Sequence, residues 1–225
     1  METLLNVRTL VRDNIDEPVA NYWLDAELNR KISERQLDLW RKILQIRKDY
    51  FLGTFTLTLV VGQYRYTPPA IASDIWRIET IRTTSDGYQG LIWSPMNANS
   101  PEFQDGLRSD VPVYNPYRIY YSLRNVATLD ISPLPQQVIA AQVDYIQLPT
   151  AVAADADTFL IPDPFLAYIQ YAATADALAK GPVGDVAHWL GRAADAWKDI
   201  MQALDTPRED QGPDVVLGAF QDAEW

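Results

Sequence analysis

The chain has 225 residues, a formal net charge of −11, and 48% hydrophobic, 22% charged and 11% aromatic residues. That is a globular composition, long enough for one well-cored domain or one domain with an insertion. There is no cysteine, which excludes disulfides, thiolate metal sites and cysteine nucleophiles.

The opening METLLNVRTLVRDN is amphipathic and lacks the apolar core of a signal peptide. Leu4, Leu5, Val7, Leu10, Val11 and Ile15 recur at helical spacing and predict a first helix over residues 3–14, ended by Asp16-Glu17-Pro18. A second helix starts at WLDAEL, residues 23–28. Counting back three from Glu27 puts Leu24 at the capping position, where its side chain offers no acceptor. Asp25 remains as a cap or as an acid favoured by the helix dipole. Leu28, Ile32, Leu39, Ile43, Ile46 and Tyr50 carry one apolar stripe to about Phe51, with a stop at Gly53. Arg30, Lys31, Arg35, Arg41, Lys42, Arg47 and Lys48 populate its other faces.

The period then changes to two. TFTLTLV places Phe55, Leu57 and Leu59 on one face, a half-buried strand. Gly62 turns it, QYRYT returns and Pro68-Pro69 closes a hairpin. Further strands are expected at 75–82, 88–93, 117–123, 127–132 and 140–148, with a helical turn at 101–107, forming an antiparallel meander. Helical spacing resumes at 165–180, with Asp163 as cap and Gly181-Pro182 as stop. Val186, Trp189, Leu190, Ala193, Trp197, Ile200, Met201 and Leu204 mark a last helix ending before Pro207. The remainder has two prolines, two glycines and five acids and reads as an extended arm, yet carries apolar Val215, Val216, Leu217, Phe220 and Trp225.

The fold class expected is therefore α+β. Residues 1–52 and 163–206 form a helical bundle, 53–162 a β-rich antiparallel insertion, and 207–225 an extended C-terminal arm. No run reaches the roughly 18 apolar residues of a membrane span, so a soluble, unexported chain with no membrane partner is expected.

Charge is unevenly spread. Residues 1–50 carry nine basic and nine acidic side chains, 51–150 six and eight, and 151–225 four and thirteen. Gripping a phosphate backbone calls for clustered Lys and Arg, which this chain lacks. A basic helix flank and an acidic last third suit head-to-tail contacts between copies, though a solvated helix face gives the same pattern.

Chemistry is sparsely signalled. His188 is the one histidine, too few for a nucleophile triad or a histidine metal site. Asp155 and Asp157 resemble half a calcium loop without the remaining ligands. No glycine-rich phosphate loop is present. Glu79, Asp130 and Asp144 are the strand carboxylates open to glycoside chemistry. Tyr64, Tyr66, Trp76, Tyr88, Trp93, Tyr117, Tyr120, Tyr121 and Tyr145 offer aromatics for a carbohydrate-binding tail module, although strands more often bury such rings. No cofactor, metal or catalytic set is indicated.

The stretches LVRDNIDEPVANYWLDAELNRKISERQLDLW, TLTLVVGQYRYTPPA and SDIWRIETIR, together with the order of elements, resemble the head-to-tail adaptor (connector) proteins of tailed bacteriophages. In that family the second helix opens with W-[ST]-D-A-E-L; here Leu24 stands where Ser or Thr is usual, removing a cap worth about 1 kcal/mol. The resemblance implies a structural virion protein at the head-tail interface, assembled in the host cytoplasm. It would form a dodecameric ring that joins the portal protein to a tail or nozzle protein and surrounds the channel through which genomic DNA passes, without sequence-specific binding and without a reaction. On that reading Val215, Val216, Leu217, Phe220 and Trp225 form the portal-binding arm. The basic flank, Arg30, Lys31, Arg35, Arg41, Lys42, Arg47 and Lys48, would face acids of a neighbouring subunit.

Overall fold

The computed structural model describes residues 2–17, 22–67, 72–85, 89–107, 118–124, 128–180 and 185–205. The class is α+β, as expected. Four helices, α1 (Leu4–Asn14), α2 (Asp25–Ile46), α4 (Leu166–Leu178) and α5 (Val186–Asp205), enclose one apolar core, and a short α3 (Pro101–Gly106) lies in the β region between them.

α1 begins where the Thr3 hydroxyl accepts the Asn6 N–H. α2 has Leu24 at its N-cap with no side-chain hydrogen bond, as its sequence requires. It ends at Ile46, earlier than the apolar stripe suggests. Arg47 is extended, and the turn that follows drops Tyr50 onto Phe165 (centroids 6.1 Å apart) and Phe51 onto Trp40 (6.3 Å). Both rings thus continue the apolar stripe without continuing the helix. α4 follows a 3-10 turn at Asp163–Phe165. Asp163 does not cap it: its carboxylate accepts the Glu2 N–H at 2.9 Å, and Phe165 occupies the N-cap without a side-chain bond.

α4 is the centre of the bundle. Eight of its 13 residues are buried, and it packs on α1, α2 and α5. Ala172, Ala173, Ala175 and Ala177 let those helices approach closely. Each larger apolar side chain buried here, such as Ile169, contributes roughly 1.5–3 kcal/mol.

The β region does not form a meander. β7 (Ile139–Gln147) lies between β1 (Leu52–Leu59) and β3 (Ile75–Thr83), antiparallel to both. A second sheet has the order β2 (Arg65–Tyr66), β6 (Thr128–Ser132), β5 (Tyr120–Arg124), β4 (Ser94–Pro95), with β4 and β5 parallel. The expected strand at 88–93 reduces, over its described residues, to one bridge between Arg82 and Ile92 that leads into β4. Leu57 and Leu59 of β1, Ile81 of β3, Val143 of β7, Leu129 and Ile131 of β6 and Tyr121 of β5 meet in one apolar cluster shared by the two sheets.

The hairpin expected after β1 is also absent. Gly62 does turn the chain, at φ +75°, a conformation that costs glycine little. The returning residues then pair with β6, Arg65 opposite Asp130 and Tyr66 opposite Leu129. The Tyr66 hydroxyl accepts the Val60 N–H and donates to the Gln63 carbonyl. A donor that a hairpin would have needed is thereby consumed, and the chain crosses to the other sheet.

The two cores join at Trp40. Its indole donates to the Gln147 carbonyl at 3.0 Å, and Trp76 meets it edge-on at 5.5 Å. Trp76 sits at a register shift in β3, between Ile75 and Arg77, the kind of bulge that re-aims a side chain.

Candidate functional site

The WLDAEL helix start is held from outside the helix. Arg12 of α1 is buried and reaches across to Asp25 (2.5 Å) and to the Trp23 carbonyl (2.8 Å). Arg8, also buried, lies 3.6 Å from Asp25 and 2.9 Å from Asp155. The Glu17 carboxylate accepts the backbone N–H groups of Tyr22 and Trp23 at 2.5 and 2.8 Å. Asp25 therefore serves as the anchor of an α1–α2 clasp. The Arg12 hydrogen bond holds its carboxyl below the usual aspartate range against the opposing effect of burial, with the charges of Arg8 and Arg12 adding to the lowering.

The basic residues of α2, and Arg47 and Lys48 just beyond its end, fall into different settings. Arg35 forms a two-point pair with Asp176 on α4, at 2.7 and 2.6 Å, and the Asp176 hydrogen bond raises its already high pKa. Lys42 donates to the Tyr168 hydroxyl, lies 3.3 Å from Asp38, and sits 5.7 Å from the Trp197 ring centre. Burial works to lower the Lys42 ammonium, but Tyr168 and Asp38 together raise it. Arg47 pairs with Asp49 at 3.5 Å, and Arg30 lies 4.0 Å from Glu34. Lys31, Arg41 and Lys48 have no ion pair among the described residues. The structure thus turns Arg35 and Lys42 inward as ties to α4. Arg30, Lys31, Arg41 and Lys48 are left as outward charge. Periodicity could not make that division, because Asp176 and Tyr168 lie more than a hundred residues away in sequence.

On the acidic side, α5 has only Ala193, Ile200 and Leu204 buried among its 20 residues. Leu190 and Met201 are exposed on it, beside the exposed acids Asp185, Asp195, Asp199 and Asp205. Val215, Val216, Leu217, Phe220 and Trp225 lie outside the described residues.

The β-region aromatics are mostly interior. Tyr66, Trp93, Tyr121 and Tyr145 are buried and belong to the sheet core. Tyr88 and Tyr117 lie outside the described residues, and Tyr120 is half-buried. The exposed pair, Tyr64 and Trp76, do not share a platform: Tyr64 stacks on Arg65 beside one sheet, and Trp76 leans on Trp40 from the other. The strand carboxylates are held by arginines. Arg65 and Arg124 cover Asp130, which is buried; Arg82 reaches Asp144 at 2.5 Å; Arg77 holds Glu79.

His188 is exposed against Trp189. Asp157 accepts the Ala153 and Ala154 N–H groups, which lower its pKa, and so closes a turn. Among the described residues no group of three His, Cys, Asp or Glu side chains could hold a metal ion, and no helix is long and apolar enough to cross a membrane.

Carboxylates and cations here tie element to element, while one long helix is left largely uncovered. That is the construction of a subunit made to meet other proteins. The family model described as SU10 adaptor protein matches residues 2–217, nearly the whole length, and the chain belongs to that family of phage adaptor proteins. No curated protein matches it.

Proposed function

We propose that this adaptor works as a head-to-tail connector in the virion: a ring, dodecameric by resemblance, seated between the portal protein and a tail or nozzle protein and enclosing the DNA path. The observation that carries the reading is the adaptor family match across residues 2–217. The role is structural, with no reaction of its own.

In this reading residues 1–52 and 163–206 form the body through which subunits meet. The outward cations Arg30, Lys31, Arg41 and Lys48 of one copy face the acids along α5 of the next, with Leu190 and Met201 supplying apolar contact. Such opposed faces make heterologous contacts, which close into a ring when the rotation permits. The β-rich part, 53–162, projects toward the tail. Residues 207–225 act as the portal arm, seating Val216, Leu217, Phe220 and Trp225 in apolar pockets. Ordering an arm on binding costs several kcal/mol, which repetition around a ring offsets by avidity.

Co-sedimentation with the portal ring of the same virus tests this, comparing the full chain with Phe220→Ala/Trp225→Ala. The full chain should sediment with the portal and the double variant should not. A full chain left in the supernatant would overturn the connector reading. A double variant that still binds would move the portal contact from the arm to the body.

A further inference from the structure

β1 is an edge of its sheet, and its outer side is open. The Gln147 N–H donates to the Phe51 carbonyl, one position before the β1–β7 ladder begins. Bonded positions alternate along an antiparallel ladder. Gly53, Phe55, Leu57 and Leu59 therefore bond β7, while Thr54, Thr56 and Thr58 turn their N–H and carbonyl groups outward. Among the described residues none of those outward groups has a partner.

Edge strands are commonly guarded by a charge, a proline, a bulge or a covering loop. The opposite edge of this sheet is guarded. β3 carries two register shifts, and residues beyond it cover its end: Trp93 donates to the Ile81 carbonyl and Thr83 to the Leu91 carbonyl. β1 has no such protection. LGTFTLTL contains no charged residue and no proline, and its register with β7 is unbroken from Leu52 to Leu59.

The order of residues in β1 points to the strand that fits there. Leu52, Thr54, Thr56, Thr58 and Val60 are all exposed, and about Thr56 this row runs apolar-Thr-Thr-Thr-apolar in both directions. We propose that β1 binds β1 of a second copy of this chain, antiparallel and centred on Thr56. Thr54 then faces Thr58 of the second copy, Thr56 faces Thr56, and each such pair exchanges two hydrogen bonds. Threonine pairs across strands are favourable. Leu52 and Val60 of opposite copies cover one another at both ends of the row. On the other face, partly buried Phe55 comes level with Leu57 of the second copy. β1 itself brings no charge to the contact. It leads away from the helices, since Phe51 just before it packs on Trp40 of α2. Antiparallel pairing thus sends the two helical bundles, with their acidic α5 helices, to opposite ends.

This contact uses one patch twice, whereas a ring of like subunits repeats a head-to-tail contact between two different patches. The pair therefore goes beyond the connector reading and describes the free chain before assembly.

The absence of native cysteine allows a test by single-cysteine chains. In Thr56→Cys the two thiols sit on facing residues with Cα atoms about 5.5 Å apart, within disulfide reach. In Thr54→Cys or Thr58→Cys each thiol lies about 13 Å along the strand from its own copy. On mild oxidation Thr56→Cys should give linked dimers about tenfold faster or more than either of those alone. An equal mixture of Thr54→Cys and Thr58→Cys chains should recover the fast reaction. Adding Thr58→Pro to Thr56→Cys removes an outward N–H and leaves the β7 ladder intact, so the rate should fall to that of Thr54→Cys. Equal rates for the three single positions, or no effect of Thr58→Pro, would overturn the proposal. Leu190→Ala, placed in the ring contact, should leave the link in place. Loss of the link in that variant would move the contact to α5 and overturn the pairing while leaving the connector reading intact.

Discussion

α4 and α5 are successive helices with opposite fates. α4 is covered on every side, and its alanines serve to bring α1, α2 and α5 together. α5 buries three of its 20 residues and leaves Leu190 and Met201 in the open. The difference teaches that α4 is the interior of the bundle and α5 its outer wall. α5 is laid on the outside with one face spent on the core and the rest available to other molecules. A helix that closes the core with one face while keeping apolar surface exposed on another is expected at an interaction surface.

The sharpest way to break this comparison is to cut into each helix equally. Ile169→Ala, at a fully buried position on α4, should destabilise the chain by about 3 kcal/mol in urea unfolding, because it leaves a cavity among three helices. A loss no larger than that of a surface substitution would mean α4 is not the keystone. Next in size is the clasp that sets α2 against α1. Asp25→Asn should cost about 1–2 kcal/mol, since it leaves buried Arg12 with one partner fewer while Asp25 itself is half exposed.

That variant also has a pH signature. The folded-state pKa of Asp25 is lowered, so its contribution is present above the ordinary aspartate value of about 3.9 and is lost as pH falls from there through the lower folded-state value. Urea midpoints measured downward from about pH 4 should therefore fall less steeply in Asp25→Asn than in the parent chain. Parallel curves would remove Asp25 from the clasp.

A smaller coupling, about 1 kcal/mol, is expected from a double-mutant cycle on Arg35→Ala and Asp176→Ala, because the pair is bidentate yet partly exposed. The smallest effect sharpens the contrast most. Leu190→Ala on α5 should change monomer stability by no more than about 0.5 kcal/mol, while weakening self-association in sedimentation velocity. A large loss of stability would show that α5's outer face is covered within the subunit.

Sequence periodicity located most elements within a few residues, because amphipathic spacing is a local property: α1, α4, α5 and the alternation of Phe55, Leu57 and Leu59 all read directly. The absence of a side-chain cap at Leu24 was equally plain. What replaces it was not, since Arg12 is just another cation on α1 until the fold brings it to Asp25. The end of α2 misread for a related reason: Tyr50 and Phe51 keep the apolar stripe going from a turn. Strand pairing was hidden altogether. Nothing in TFTLTLV says that its neighbour is residues 139–147 rather than the QYRYT that follows it.

The central position of β7 also sets an order of events during synthesis. β1 ends at Leu59 and its partner begins at Ile139, so at ribosomal rates the first strand waits about 4–16 s for its neighbour to emerge. Neither β1 nor β3 can enter its sheet before then. Pairing over such separations is slow even in a finished chain, because closing the loop precedes any gain from contact. Until β7 arrives, Leu57 and Leu59 travel with an unpaired backbone edge, the condition in which strands find wrong partners. The helical bundle is later still, because α4 follows β7 in the chain. The hazard lies in the nascent chain rather than in the folded protein, and it ends with the release of a single strand.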